Sequence, residues 1–414
     1  MSQQQNLSPT TADAAASLFP VNSRIVAMGD SLTASGIAVI SPTRSSYQSR
    51  GYTTYAAIAS DNRFYMPIGG NKGVSGNTTT DMINRLGAAL ALNPAIAIVL
   101  GGTNDLGTSA TSETIINNLR RLHSGFIAVR AKVIAITILP RFGANIPTPA
   151  NEIKRQEVNT WIRTQSSDDI TVIDAEIFMN DAAYYYDGLH LNSIGAAILG
   201  TAVADILNSM SKAGRVADVL AVDTAYNLNL YFAGTAGVKT NGATGVVATS
   251  YELDRGASGA NVDGVVLSNA GIRTQQINIT GTYTGANQLV SMKNNSTVNP
   301  PAIGDIMEAF AEYEFVTNDP NIVGVNVTYF VYTSTFSQLA RADSLLALDQ
   351  LSNTMTTGKI YTLRTPSVAI GNTGTPTRVA MELTILLKET TVATAINASL
   401  VIHKIGTRKV PSIL

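Results

Sequence analysis

Short, nearly continuous apolar runs recur through the first half of the chain, at Ile25–Met28, Ile96–Leu100, Val133–Leu139 and Ile170–Ile173. A strand covered on both faces reads this way, because neither alternate set of side chains meets water. Between the runs the period changes. Ile115, Leu119, Leu122 and Phe126 are spaced four, three and four residues apart, and Leu199, Val203, Ile206 and Met210 repeat that spacing. Both sets place apolar side chains on one face of a helix. Strand–helix alternation over residues 22–212 predicts a three-layer α/β domain around a parallel sheet. Such sheets build their sites outside the carboxyl ends of the strands.

After "SKAGR", residues 211–215, the period becomes two. "LNLYF" (228–232), "VNVTYFVY" (325–332) and "MELTILLK" (381–388) alternate apolar and polar positions, with Gly, Asn, Thr and Pro clusters between them. This half predicts an antiparallel β-sandwich of the jelly-roll kind. One stretch, "SQLARADSLLALDQL" (337–351), admits a short helix. The organisation expected is a flexible segment over 1–21, an α/β domain over 22–213 and a β-sandwich over 214–414, without internal repeats. A chain of 414 residues is long enough for two cores.

Composition narrows the function classes. Charged residues make up 14 % of the chain, and 28 Lys+Arg against 29 Asp+Glu leave a net charge of -1. That balance gives no electrostatic reason to expect nucleic acid or an acidic membrane as partner. With no cysteine, disulfides, thiolate catalysis and cysteine-held metals are excluded. The N-terminal "MSQQQNLSPTTADAAASLFP" lacks the basic and apolar regions of a Sec signal. The apolar "LGAALALNPAIAIVL" is broken at Asn93-Pro94 and is too short to span a bilayer. A soluble chain is expected, with its compartment open.

The first apolar run ends in "IVAMGDSLT", residues 25–33. A strand-to-helix turn there would lift Ser31 above the sheet and leave backbone N–H groups facing outward. Turn formation alone would also suit Asp30 and Ser31. A serine nucleophile needs a base, and the chain has three histidines. His123 sits beside Leu122 in a helical stretch, and His403 lies in the strand-like "LVIHKI". His190, in "YYYDGLHLNSIG", follows the last predicted strand of the sheet and is available at the same edge as Ser31. Asp187, three residues earlier, can orient an imidazole within one loop. Two further segments leave the sheet at this edge. "NKGVSGNTTTDM" (71–82) can present the Gly76 N–H, and "VLGGTND" (99–105) can present the Asn104 amide, as donors to an oxyanion.

Taken in order, "GDSLT", "GVSGNTT", "GGTND" and "DGLHLN" resemble the four blocks of the SGNH, or GDSL, hydrolases. The resemblance covers about residues 22–212. It implies a flavodoxin-like three-layer fold, with Ser31 as nucleophile, His190 as general base and then acid, and Asp187 as its orienting partner. It also implies an oxyanion hole made by the Ser31 N–H, the Gly76 N–H and Asn104. The α/β-hydrolase elbow G-x-S-x-G does not fit, because position 33 is Thr. No His-x-x-x-His, Glu/His cluster, P-loop or dinucleotide fingerprint is present, so neither a metal nor another cofactor is expected. Asp30 and Asp105 flank Ser31 and Asn104, and a structural role on turn N–H groups is expected for both.

The expected chemistry is ester hydrolysis through an acyl-serine, falling off on acidification as an imidazole base protonates. O-deacetylation of a complex or cell-surface polysaccharide is the expected reaction. A longer-chain lipase or thioesterase is the alternative, with "SGIAVISPTRSSY" (35–47) able to hide an apolar pocket. The polar N-terminal segment and β-rich second half also resemble phage tail-fibre or tailspike proteins that carry an SGNH domain. A receptor-binding trimer would follow from that resemblance.

Overall fold

The computed structural model describes residues 18–41, 43–216, 229, 231–285, 289–296, 300–344 and 356–410. The first half contains strands β1 (Ser23–Gly29), β2 (Ile37–Ser41), β3 (Arg44–Tyr47), β4 (Phe64–Tyr65), β5 (Asn71–Gly73), β6 (Ile96–Leu100), β7 (Lys132–Ile136) and β8 (Ile170–Ile173). Its helices are α1 (Ser31–Ala34), α2 (Tyr52–Ala59), α3 (Thr79–Asn84), α4 (Leu86–Leu90), α5 (Ser112–Ala128), α6 (Pro149–Arg163) and α7 (Ser193–Met210).

A parallel sheet runs β4-β1-β6-β7-β8, with β5 pairing the far end of β1. Because β4 and β5 form one interrupted edge, the order is that of flavodoxin-like doubly wound sheets, with its switch point between β1 and β6. The continuous apolar runs have the expected cause. Ile25 and Ala27 of β1 face a core shared with α2 and α7, and Val26 and Met28 face a core shared with α3, α5 and α6. By length and composition α7 could cross a bilayer; here Leu199, Val203 and Leu207 are buried in the first of these cores. The run at 133–139 is strand only to Ile136. Asn159 ends it, accepting from Ile138 N and donating to Ile138 O, so the buried backbone there is satisfied without a ladder.

In the second half the strands are β9 (Ala236–Thr240), β10 (Thr244–Gly245), β11 (Val247–Asp254), β12 (Asn261–Asn269), β13 (Ile272–Gly285) and β14 (Leu289–Ser296). They continue with β15 (Ile306–Thr317), β16 (Ile322–Tyr332), β17 (Gln338–Asp343), β18 (Ile360–Arg364), β19 (Val368–Ala369), β20 (Arg378–Leu387) and β21 (Thr390–Lys409). They form two sheets whose inner faces share one core. Val327, Tyr329 and Val331 of β16 meet it from one sheet, and Ile277, Ile279 and Leu400 from the other. The sheets are mixed rather than antiparallel, since β9 pairs β11 and β10 pairs β12 in parallel. Residues 338–343, inside the stretch that admitted a helix, are the strand β17; residues 345–351 lie outside the described residues. Of "LNLYF", Leu228 and Leu230 also lie outside them, and Tyr231 is in a turn.

The halves are joined in two ways. Hairpin β2–β3 leaves the first half and extends the second, with β3 pairing β17 in parallel from Arg44↔Arg341 to Ser46↔Asp343. Behind it, the outer face of β15 carries Glu308, fully buried and paired with Arg364 (2.8 Å) and Arg408. The Arg364 guanidinium lies 4.7 Å over the Tyr65 ring, and Asn62 Nδ2 donates to Thr362 O at 2.7 Å.

Candidate active site

The site begins where β1 stops. Gly29 is required there: a Cβ would lie 2.0 Å from Thr33 Oγ1 and 2.6 Å from Leu100 O, so only glycine lets α1 fold back onto the strand end. Asp30 caps α1, accepting from Leu32 N at 3.0 Å. Ser31 thus stands at the first position of a one-turn helix at the switch point of the sheet. Neither its N–H nor that of Gly76 has an acceptor among the described residues.

His190 arrives from the other side, in the loop before α7. Asn192, two residues on, caps that helix by accepting from Gly195 N at 3.0 Å. Gly188 has φ +85°, and a Cβ there would lie 2.2 Å from Phe142 O; Phe142 N donates to Gly188 O at 2.8 Å. The loop is therefore pinned against the segment after β7. His190 Nε2 lies 3.0 Å from Ser31 Oγ, and Nδ1 lies 2.7 Å from Asp187 Oδ2. The other carboxylate oxygen of Asp187 accepts from Leu189 N (2.9 Å) and His190 N (2.7 Å). Partial burial pushes the Asp187 carboxyl up, but these hydrogen bonds outweigh it and hold the group below the usual carboxylate range. An ionised Asp187 fixes the imidazole with its proton on Nδ1, which leaves Nε2 free to take a proton from Ser31.

Pairing registers bring the other two segments alongside. Gly29 of β1 sits opposite Gly73 of β5 and Leu100 of β6, so the chains leading to Gly76 and Asn104 leave the sheet beside Ser31. Asn104 Nδ2 donates to Asn77 O at 2.9 Å. That bond ties it to the Gly76 loop with one of its two N–H groups and leaves the second for a ligand.

Both neighbouring acids are structural. Asp105 is buried and accepts from Thr79 N (2.9 Å) and Thr79 Oγ1 (2.7 Å), which fixes the start of α3. Asp30 is fully buried, and its second oxygen has no partner among the described residues. Burial pushes its carboxyl up to about 6, against the opposing hydrogen bond from Leu32 and the charge of His190. The remaining histidines lie elsewhere. His123 is buried, stacked on Trp161, and lowered by burial to about 4. His403, on β21, lies 3.1 Å from Glu314.

Three side chains not singled out from the sequence support the site. Arg85 donates to Gly29 O (2.6 Å), Lys72 O and Asn77 Oδ1 (2.8 Å), holding the ends of β1 and β5 and the Gly76 loop together. Arg141 binds Thr103 O and Thr103 Oγ1, the latter at 2.9 Å, just before Asn104. Tyr186 stacks on the His190 ring at 5.7 Å. Arg85 and Arg141 read backbone carbonyls, which carry no sequence signal. The only hint of Tyr186 was its place in "YYYDGLHLN".

Two cavities open beside α1 and share Ala34 and Ile37 as a wall. One, of about 380 Å³, is lined by Ser35, Gln48, Ser49, Arg50 and Tyr186. The other, of about 260 Å³, is mainly apolar and includes Ile37, Val39, Met66, Ile68 and Pro366. The segment 35–47 does border an apolar pocket.

The first half of the chain is similar to known proteins. No curated protein matches the chain. Solved structures similar to its first half include the lipase/acylhydrolase from Enterococcus faecalis (22 % identity, 46 % of this chain and 99 % of that one, TM-score 0.36). A catalytic mutant of an acetylxylan esterase from Geobacillus stearothermophilus is 17 % identical over 47 % of this chain and 97 % of its own, TM-score 0.37. A GDSL-like lipase from Bacteroides thetaiotaomicron is 18 % identical over 44 % and 87 %, TM-score 0.33. The family profile of the GDSL-like lipase/acylhydrolases matches residues 27–198, the span that holds Ser31, Gly76, Asn104, Asp187 and His190. Over residues 27–198 the chain thus matches the GDSL-like lipase/acylhydrolase family.

Proposed function

We propose that the protein is a serine ester hydrolase that removes acetyl groups from the hydroxyls of a complex or cell-surface polysaccharide. The observation that carries the ester-hydrolase part is the unbroken chain Ser31 Oγ–His190 Nε2 (3.0 Å) and His190 Nδ1–Asp187 Oδ2 (2.7 Å). Ser31 Oγ attacks the acyl carbon as its proton passes to His190 Nε2. The negative carbonyl oxygen is met by the Ser31 N–H, the Gly76 N–H and Asn104 Nδ2. The intermediate collapses when His190 gives that proton to the departing alcohol, leaving the acyl group on Ser31. Water, deprotonated by the same imidazole, then releases the acid.

The carbohydrate part is supported by the polar cavity. His190 protonates the alcohol, so the alcohol leaves on the His190 side. Tyr186, stacked on His190, lines that cavity together with Gln48, Ser49 and Arg50. A polyhydroxylated alcohol finds hydrogen-bonding groups and an aromatic edge there. A second reading, a preference for longer acyl chains, is favoured by the apolar cavity of about 260 Å³.

Acid release from acetylated polysaccharides and from p-nitrophenyl esters of rising chain length tests both. Wild type should release acetate from the polymer and Ser31→Ala should not. Equal release by the variant refutes the Ser31 assignment. A steep rise in rate with chain length replaces the acetyl reading by the second one.

A further inference from the structure

The apolar cavity is built from both halves of the chain. Ala34 and Ile37 follow Ser31, and Gly73 ends β5 just before the Gly76 loop. Met66 and Ile68 come from the segment between β4 and β5, and Pro366 and Ser367 come from the β-rich half. Its polar neighbours are largely spent on the protein itself. Asn71 Nδ2 donates to Thr33 O (2.8 Å), Asn71 Oδ1 accepts from Gly73 N (2.8 Å), and Ser367 Oγ lies 3.2 Å from Tyr65 OH. What remains for a ligand is mainly carbon surface.

Its wall is fixed from outside the α/β half. Hairpin β2–β3 supplies Ile37 and Val39, and that hairpin is the edge of a sandwich sheet, with Arg341 N donating to Thr43 O at 2.8 Å in addition to the β3–β17 pairing. The buried Glu308–Arg364–Arg408 group holds the segment carrying Pro366 against Tyr65. A cavity with both walls clamped in this way is preformed, as small-molecule sites generally are.

The reaction decides which part of the ester it faces. The alcohol departs beside His190, on the Tyr186 side of the Ala34–Ile37 wall. The apolar cavity shares only Ala34 and Ile37 with the Tyr186 cavity and is lined by Gly73, at the end of the strand that leads into the Gly76 loop. We infer that this cavity is the acyl pocket and that the β-rich half, through Pro366 and the clamped hairpin, sets the length of acyl group the enzyme accepts. The inference rests on the ester-hydrolase reading above. A water molecule occupies about 30 Å³ of liquid, so a cavity of about 260 Å³ holds an acetyl group with room for several more carbons.

The test uses the full chain and the p-nitrophenyl esters of acetate, propionate, butyrate and hexanoate. Wild type should accept butyrate with kcat/KM close to that for acetate. Val39 is 67 % exposed at the rim, so Val39→Trp adds a ring to the mouth without disturbing the core. It should lower the butyrate-to-acetate ratio at least about tenfold, the lower end of what one methylene decides in an apolar pocket. Pro366→Ala enlarges the far wall and should raise the hexanoate-to-acetate ratio. Across acetates of different alcohols, Val39→Trp should leave the ratios between their rates unchanged.

A Ser31-dependent butyrate-to-acetate ratio that Val39→Trp leaves unchanged overturns the acyl assignment. So does a Val39→Trp effect confined to the alcohol series. A hexanoate ratio indifferent to Pro366→Ala overturns the role of the β-rich half. If turnover survives in Ser31→Ala at every chain length, the ester-hydrolase reading itself falls, and this inference with it.

Discussion

Asp187 allows the sharpest test of how the base is prepared. One of its oxygens accepts two backbone N–H groups, from Leu189 and His190, and the other accepts from the His190 ring. In Asp187→Asn the two backbone donors demand an oxygen, so the amide oxygen must face them. The NH₂ group then faces His190 Nδ1 and makes it an acceptor. The ring proton moves to Nε2, where it points at Ser31 Oγ, and the base is lost. In a buried protease triad the same change lowers kcat about 10⁴-fold. Asp187 is 37 % exposed by its side chain, so water competes for the ring and about 10³-fold is expected here. Asp187→Ala imposes no tautomer. It removes a charge-assisted hydrogen bond worth about 1.5–3 kcal/mol, which at about 1.4 kcal/mol per tenfold is a loss of about 10–150-fold. The order is the prediction: Asn must be worse than Ala in kcat for p-nitrophenyl acetate at neutral pH. An Asn variant as active as the Ala variant, or more so, refutes the tautomer argument.

Three further outcomes follow from other parts of the structure. Asn104→Ala removes one oxyanion donor and should lower kcat about 10²–10³-fold with little change in KM; a raised KM at unchanged kcat would make Asn104 a binding residue instead. Asp30 has its carboxyl raised to about 6 by burial, so between about pH 4 and pH 6 the native state binds more protons than the unfolded chain. Stability should fall over that window as pH rises, by about 3 kcal/mol from this group; Asp30→Asn, which can still cap Leu32, should flatten the fall in urea unfolding, and an unchanged slope would contradict it. Glu308→Gln leaves Arg364 and Arg408 without their buried anion and should cost about 3–5 kcal/mol of unfolding free energy, against a shift under about 1 kcal/mol if the cluster were solvated.

What could be read from the sequence was local. Strands buried on both faces announce themselves, because each residue's surroundings are set by two covering layers of helices. Ser31 and Asn104 sit within a few positions of a strand end and the Asp187–His190 loop runs from the last strand of the sheet into α7, so the order of strands and turns along the chain was enough to put them on one sheet edge. The hairpin at 37–47 could not be assigned. "IAVIS" is a short apolar run and "RSSY" a mostly polar one, the hairpin joins its sheet through β3 and β17, nearly 300 residues away, and nothing in so short a run names its partner. The same holds for Glu308, whose neighbours on β15, Met307 and Ala309, belong to the sandwich core. Strand alternation puts Glu308 on the opposite face, and only the packing of the two halves turns that face into a buried interface. Arg85 and Arg141 were silent because a guanidinium on backbone carbonyls leaves no pattern in the chain.

The central claim is that Ser31 is the nucleophile, activated by His190. Labelling with an alkyl fluorophosphonate, followed by intact-mass and peptide mapping, tests it most directly. One adduct per chain, located on Ser31, absent in Ser31→Ala and strongly slowed in His190→Ala, is the expected result; an adduct that persists in Ser31→Ala, or a wild-type chain that takes up no label, would contradict it.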